Sequence, residues 1–359
     1  MRVLQMVSAL DGGGIERIIY NYYLHMDRSK IHFDFVKVES EEGILEEPLR
    51  KLGCNIFGLP QLRKKPSEYR KKLKAIIING KYDVIHCNGG YRAFEALRIA
   101  KKCGVPIRIA HAHTSNPPET IFNKIERIIA TVLTKHYATR LLACGEQAAR
   151  WMWGDRKYES GNINIVHNAI CTDLYKFNNG KRKEIRDILN IEDKFVIGNV
   201  GRLSLPKNHK FMIDIIDEVV KKRKDIILLL VGCGELELEV KEYVNSKNLN
   251  SFVKFLGVRK DVPDLLNAMD LFILPSLFEG LPVTAVEVQA NGLPSLISNN
   301  VTKEIKINKN VEYLPLDKKV WVEFLTSYNF VRDFKGDVNI VKAGYDIDKE
   351  ANRLINNYY

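Results

Sequence analysis

Runs of β-forming residues alternate with amphipathic segments twice along this chain, and that alternation restricts the fold more than any other feature of the sequence. In the first half the strands read RVLQMV, HFDFVKV, NIFGL, DVIHCN, PIRIAHAH and RLLACG, separated by amphipathic stretches at 14–26, 42–52, 67–79, 91–102 and 119–137. After a polar connector at 171–183, the strands FVIGNVGRL, IILLLVG, VKFLG, LFILPS and LPSLIS alternate with helical stretches near 208–222, 235–247, 262–267 and 281–291. Such repetition predicts an α/β protein with parallel sheets covered by helices on both faces, and the restart predicts two doubly wound, Rossmann-like domains in tandem. In sheets of this kind ligands bind outside the carboxyl ends of the strands, so the strand-end loops of both domains are expected to face a shared central cleft. A last helix is expected within GYDIDKEANRLINNYY, with Asp346 or Asp348 as its cap rather than as half of a metal-binding D-x-D pair.

A length of 359 residues suits two domains of ordinary size. Apolar residues make up 45% of the chain and charged residues 28%, with no apolar run approaching the roughly 20 residues of a membrane span, which predicts a soluble globular protein. Met1 leads directly into a strand, with no secretory signal. The six cysteines, at 54, 87, 103, 144, 171 and 233, form no C-x-x-C pair and read as small core residues in a reducing cytoplasm.

The net charge of +11 is unevenly shared: residues 1–175 hold 27 Lys and Arg against 18 Asp and Glu, and the remainder 28 against 26. The densest basic cluster is RKKPSEYRKKLK, residues 63–74. Within 122–140, Phe122, Ile125, Ile129, Val132 and Leu133 recur at helical spacing beside Lys124, Arg127, Lys135 and Arg140. A basic amphipathic segment suits an anionic membrane surface, and the plainer reading is a solvated face on a core helix.

The chemistry concentrates in strand-end loops. SLFEGLPVTAVEVQANGLP, residues 276–294, places Glu279 just before a helix and Glu287 inside it, with Pro282 at the first turn and Asn291-Gly292 as the stop. A glutamate in an apolar helix needs a partner, either a core cation or the hydroxyls of a sugar. The loop Glu279-Gly280-Leu281 offers backbone N–H groups at a helix N-terminus, which suits a diphosphate. Following VIGNVGRL, Arg202 and Lys207 are placed to clamp such an anion. Gly232 and Gly234 make a second strand-end turn, and Val258-Arg259 a third that can offer backbone groups to a flat base. Gly12, Gly13 and Gly14 allow backbone approach to an anion at a helix N-terminus, but without the G-x-G-x-x-G spacing of a nicotinamide site. His111 and His113 share one side of a strand with no visible third metal ligand, so one is expected to face the cleft and position an acceptor hydroxyl while the other is structural.

Taken together, GGGIER, HAHT, VHNAI, GRLSLPKNH and SLFEGLPVTAVEVQANGLP resemble, in order and over nearly the whole chain, the retaining family 4 glycosyltransferases. The resemblance implies the two-domain B-type glycosyltransferase (GT-B) fold. It implies an acceptor-binding domain at 1–175, a donor-binding domain at 176–340, and a terminal helix at 341–359 crossing back to the first. It also implies that Arg202 and Lys207 hold the donor diphosphate, Glu287 the ribose and Glu279 the transferred sugar. Gly13 and Gly14 would approach the phosphate, and His113, with His111, would stand next to the reacting sugar. HAHT, WMWG and SNNVTKE are similar to bacterial members that build capsular or exopolysaccharide repeat units on a lipid-diphosphate carrier. The implied partners are a nucleoside-diphosphate sugar, expected to be UDP-linked, a lipid-linked glycan acceptor and an anionic membrane surface, with no nucleic acid and no metal cofactor. The implied location is the inner face of the plasma membrane, peripherally attached from the cytoplasm. Asn299 and Gly145 stand where relatives often have aspartate and serine, which leaves the sugar open, and a front-face and a covalent mechanism both remain consistent with retention.

Two other readings compete. An epimerase or hydrolase of the same fold would act on the nucleotide sugar without an acceptor. A basic nucleic-acid-binding protein would need aromatic residues regularly interleaved with its basic clusters and a recognition motif of the usual kinds, and the sequence shows neither pattern.

Overall fold

The computed structural model describes residues 1–11, 13–38, 41–113, 120–327 and 329–359. Gly12, Thr114 of the HAHT stretch and Glu119 at the expected start of a helix therefore lie outside the described residues. The chain divides into two compact units, Met1–Ile170 with Asp346–Tyr359, and Cys171–Tyr345.

The first unit alternates β1 (Arg2–Met6), α1 (Gly14–Leu24), β2 (His32–Val38), α2 (Glu46–Lys51), β3 (Ile56–Leu59), α3 (Pro66–Gly80), β4 (Val84–Cys87), α4 (Phe94–Lys102), β5 (Ile107–Ala112), α5 (Ile121–Tyr137), β6 (Arg140–Ala143), α6 (Glu146–Trp153), α7 (Asp155–Glu159) and β7 (Asn164–Ile165). All neighbours pair in parallel in the order β3-β2-β1-β4-β5-β6-β7. The second unit holds α8 (Asn179–Leu189), β8 (Phe195–Val200), α9 (His209–Lys222), β9 (Ile226–Val231), α10 (Glu237–Ser246), β10 (Val253–Gly257), α11 (Val262–Ala268), β11 (Leu271–Leu274), α12 (Val283–Ala290), β12 (Ser295–Ser298), β13 (Val311–Leu314), α13 (Lys318–Ser327) and α14 (Gly336–Lys342). Its strands are likewise parallel, in the order β10-β9-β8-β11-β12-β13. The strand order reverses between β1 and β4 in one unit and between β8 and β11 in the other.

The last helix, α15 (Ile347–Asn356), belongs to the first unit and packs on α1. Asp346 caps it by accepting from Lys349 N at 3.0 Å, while Asp348 pairs with His25 at 2.7 Å, so neither sits in a metal cluster. The unit boundaries fall at Ile170 and Tyr345, rather than at 175 and 340 as read from the sequence.

Three further expectations shift. Residues 179–183 are not connector but the start of α8, whose N-terminus is capped by the Asn178 side chain. That helix carries little apolar periodicity and is fixed instead by Arg182 and Arg186, which both reach the Asp270 carboxylate. The short strands β7 and β13 have too few residues to show alternation. Cysteines 54, 87 and 144 are buried, but Cys233 is exposed in the loop after β9 and is no core residue.

Buried β2 carries an acidic residue that its apolar pattern hides. Asp34 is fully buried and accepts from Asn55 N (2.8 Å), Asn55 Nδ2 (3.0 Å), Tyr82 Oη (2.8 Å) and Arg2 Nη2 (2.7 Å). Burial pushes its pKa up, but these donors outweigh that and hold the carboxyl below its ordinary value. Asp34→Ala leaves four donors without their acceptor, and we expect a loss of about 3–5 kcal/mol in denaturant unfolding. Arg2→Ala, at the half-exposed end of the cluster, should cost clearly less.

Candidate functional site

In the second unit the loops leaving β8 and β11 are tied to each other. Leu277 N donates to Pro206 O at 2.8 Å, and Asn208 Nδ2 to Pro275 O at 3.1 Å. This brings Lys207, from the first loop, onto Glu279, from the second: Nζ lies 2.6 Å from Oε1, with both side chains about 15% exposed. Ser276 Oγ donates to the same oxygen at 2.9 Å. A cation and a carboxylate thus meet at the switch point, screened from water but open enough to be reached.

Helix α12 begins four residues after Glu279, with Pro282 at its N-cap, so Gly280 and Leu281 form the turn that precedes its positive end. Glu287 lies on this helix, half-buried, and its Oε1 accepts from Tyr175 Oη at 2.6 Å. Tyr175 closes a 3₁₀ turn at Thr172–Tyr175, and its carbonyl accepts from Asn291 Nδ2 at 2.9 Å, which pins the turn to the end of α12. The partner that a glutamate in an apolar helix requires is therefore, in the ligand-free chain, a tyrosine hydroxyl.

The remaining candidates line neighbouring loops. Arg202 is exposed and pairs with Glu235 at 2.9 Å, on the loop after β9. Gly234 lies so close to the loop after β8 that a Cβ there would stand 2.4 Å from Leu203 O, so only glycine fits. Val258 is exposed, and Arg259 is locked in a two-pronged pair with Asp261 at 2.6 and 2.8 Å, which leaves its backbone rather than its side chain to meet a ligand.

In the first unit, Gly13 caps α1. A Cβ at Gly13 would meet only the flexible Glu16 carboxylate, and one at Gly14 would meet nothing, so packing does not explain either glycine. His111 is buried at the end of β5, and His113 is half-buried just beyond it, their rings 3.9 Å apart. Behind them stands a residue that the sequence did not flag: His86, on β4, whose Nε2 is 3.1 Å from His111 Nδ1. His113 Nε2 is 3.1 Å from Asn88 Oδ1. All three rings are held neutral. Burial lowers His86 to about 3, aided by His113; it lowers His111 well below the ordinary value; and it brings His113 to about 4 against a smaller upward pull from Asn168. A signal for His86 did exist, since DVIHCN ends at the switch point beside β1. Among the described residues no group of three or more His, Cys, Asp or Glu is placed to hold a metal ion.

The two basic segments meet on the surface of the first unit, where Arg63 pairs with Glu126 of α5. Helix α5 is inverted: it buries the small Ala130, Thr131 and Thr134 and exposes Ile121, Phe122 (80%), Ile125, Ile128, Ile129 and Val132. No helix among the described residues is long and apolar enough to cross a membrane.

Comparison with known proteins identifies the family and the fold. Residues 12–174 match the family model described as Glycosyltransferase Family 4, and residues 181–323 the model described as Glycosyl transferases group 1. The chain is 30% identical to a putative glycosyltransferase, EpsF, of Bacillus subtilis, over 99% of this chain and 96% of that one. It is also 30% identical to the UDP-Gal:alpha-D-GlcNAc-diphosphoundecaprenol alpha-1,3-galactosyltransferase of Escherichia coli, over 61% of this chain and 58% of that one. Among solved structures, the Anabaena protein HepE in complex with UDP and glucose superimposes with a TM-score of 0.81 at 19% identity, covering 99% of this chain and 98% of that one.

Because three buried histidines are neutral in the folded chain and protonate near 6.5 when unfolded, the unfolded state binds more protons as pH falls from about 6.5 towards 4. Stability is therefore present above that window and lost through it, by up to about 1.4 kcal/mol per pH unit for each histidine. Urea unfolding at pH 7 and pH 5 should show the drop, and a flat profile means that the rings protonate within the fold.

Proposed function

We propose that this chain, which belongs to the family 4 and group 1 glycosyltransferases and has their GT-B fold, transfers a sugar from a nucleoside diphosphate, most simply UDP, to a glycan carried on a lipid diphosphate, with retention of anomeric configuration. Its place in the cell is capsule or exopolysaccharide assembly at the inner face of the plasma membrane. The observation that carries this reading is the Lys207–Glu279 pair at the switch point of the second sheet, with Glu287 on the helix that follows.

In this reading Lys207 leaves Glu279 for the donor diphosphate, joined by Arg202, and the two cations stabilise the charge that develops as the bond from sugar carbon to phosphate oxygen breaks. The backbone at Gly280 and Leu281 and the start of α12 add partial positive charge to the same anion. Glu279, released from its lysine, accepts from hydroxyls of the transferred sugar, and Glu287 exchanges the Tyr175 hydroxyl for those of the ribose. Gly234, Val258 and Arg259 offer backbone to the base, and Gly13 and Gly14 offer it to a phosphate oxygen. His113, backed by His111, holds a hydroxyl at the reacting sugar. Charge neutralisation by Lys207 and Arg202 makes a metal unnecessary. A UDP-linked donor is supported by the UDP complex of the Anabaena structure, and a lipid-diphosphate acceptor by the name of the Escherichia coli relative.

A lipid-linked acceptor requires a docking surface, and the exposed apolar row of α5, beside the basic segment at 63–74, supports that reading. Acyl chains cover the first and anionic headgroups meet the second.

Two measurements test these statements. UDP at about 100 times its dissociation constant adds roughly 2.7 kcal/mol of stability, visible as a thermal shift. The shift should survive EDTA and vanish in Glu287→Ala, whereas no shift with any nucleotide removes the donor site; incubation with donor alone separates transfer from epimerisation or hydrolysis by its products. For the surface, replacing Lys64, Lys71 and Lys74 by Ala should weaken binding to anionic vesicles by about 3 kcal/mol, and Phe122→Ser with Ile129→Ser should weaken it further. Unchanged vesicle binding in both variants removes the membrane assignment.

A further inference from the structure

The histidines at the end of β5 are the visible end of a buried polar chain whose hydrogen bonds can be oriented one by one. Its members lie on one face of the first sheet: Gln5 on β1 is in register with His86 on β4, and His86 with Ile109 on β5, two residues before His111. Tyr358, which follows α15, is fully buried and drops its hydroxyl between Gln5 and His86.

The direction is set by a group that cannot donate. Asn88 Nδ2 lies 3.3 Å from Met6 O, a backbone carbonyl, so the nitrogen of that carboxamide must face Met6 and its oxygen must face His113. His113 therefore carries its proton on Nε2, which donates to Asn88 Oδ1. The same Asn88 Nδ2 is 3.1 Å from Gln5, so Gln5 presents Oε1 to it and must turn its NH₂ towards Tyr358 Oη, 3.1 Å away. Having accepted that bond, the hydroxyl gives its own proton to His86 Nδ1 at 3.0 Å. A neutral His86 then bears its proton on Nε2 and donates to His111 Nδ1, which leaves His111 with its proton on Nε2. Burial keeps Tyr358 protonated and both histidines neutral, as this order requires.

Two atoms remain at the ends of the chain. His111 Nε2 and His113 Nδ1 are buried and make no hydrogen bond. Both rings line a cavity of about 10 Å³, together with Gln5, His86, Asn88 and Asn168, the size of one water or one hydroxyl. We propose that the Met6 carbonyl, acting through Asn88, Gln5, Tyr358 and His86, fixes the proton order of this site so that a bound hydroxyl meets an N–H from His111 and a bare nitrogen on His113. His86 and Tyr358 are then positioning residues, acting through His111. The proposal rests on the glycosyl-transfer reading for the identity of the hydroxyl, that of a sugar. Two arrangements compete: in one His113 carries its proton on Nδ1 and turns it towards Asn168, and in the other Tyr358 Oη accepts from His86 Nδ1 as well as from Gln5, with His111 donating to His86.

The proton order is measurable without substrate, so its failure is distinguishable from failure of the transferase reading. The full chain labelled with ¹⁵N-histidine should show His86, His111 and His113, assigned by single substitution, all as the neutral Nε2–H tautomer at pH 7. Tyr358→Phe deletes the bond into His86 Nδ1 and should turn His111 from one tautomer into a mixture. His113, ordered through the separate Asn88 branch, should keep its Nε2–H pattern. A wild-type spectrum with His111 or His113 protonated on Nδ1 overturns the proposal, as does a Tyr358→Phe spectrum with His111 unchanged. Should Tyr358→Phe fail to fold, Gln5→Glu offers the same readout: its acid group lacks the NH₂ that orients Tyr358, and an unaltered His111 tautomer there also overturns the order.

Discussion

Everything functional in this chain depends on the point at which a parallel sheet changes winding direction. In each unit the first strand has its successors on one side and the later strands on the other, and in the second unit the loops leaving the two central strands meet over that point, tied by the bonds from Leu277 N to Pro206 O and from Asn208 Nδ2 to Pro275 O. Side chains gathered there have no hydrophobic neighbour to satisfy and are available for ligands. Lys207 and Glu279 leave the strands flanking one such point, and Gly13 and Asn88 the strands flanking the other.

The Lys207–Glu279 pair shows how two charges share such a position. A half-screened lysine or carboxylate without its partner pulls in water or shifts its protonation, whereas each here neutralises the other at 2.6 Å, with Ser276 also donating to the carboxylate. Glu287 is held in the same way, by the Tyr175 hydroxyl. Any ligand at these groups has to offer better partners than the ones it displaces.

The sequence carried the fold well where local pattern and packing agree. HFDFVKV and VKFLG mark β2 and β10 to the residue: β2 is a buried run bounded by turns, and β10, a partly buried edge strand, is marked by Val253, Phe255 and Leu256 ahead of a glycine. It failed at α8, where two arginines reaching a carboxylate some 85 residues ahead do the work that an apolar face does elsewhere. The same limit governs the site. Lys207 and Glu279 stand out singly as charged residues in strand-end loops, but their contact spans two loops and no local pattern announces it. Tyr175 and Tyr358 are invisible for that reason, each an ordinary residue until the fold sets it beside Glu287 or His86, and His86 shows only as a polar residue near the end of a strand. Helix α5 is an intermediate case, since its spacing allows either a surface-seeking or a core-facing stripe and the structure places the stripe outward.

The burial of Tyr358 in the first unit has a consequence for the order in which the molecule is made. The second unit is inserted between Ile170 and Asp346, so the ribosome completes the seven-stranded sheet and then a whole further unit before the residue that orders the histidines emerges. At about 5–20 residues per second that interval is roughly 10–40 s. During it the space that Tyr358 fills beside Phe33 and His86 is lined by a polar and aromatic wall without its last stone. The nascent chain therefore holds a sheet whose buried histidines still lack the hydroxyl beside His86, and that wall is completed in one late step, when α15 docks onto α1.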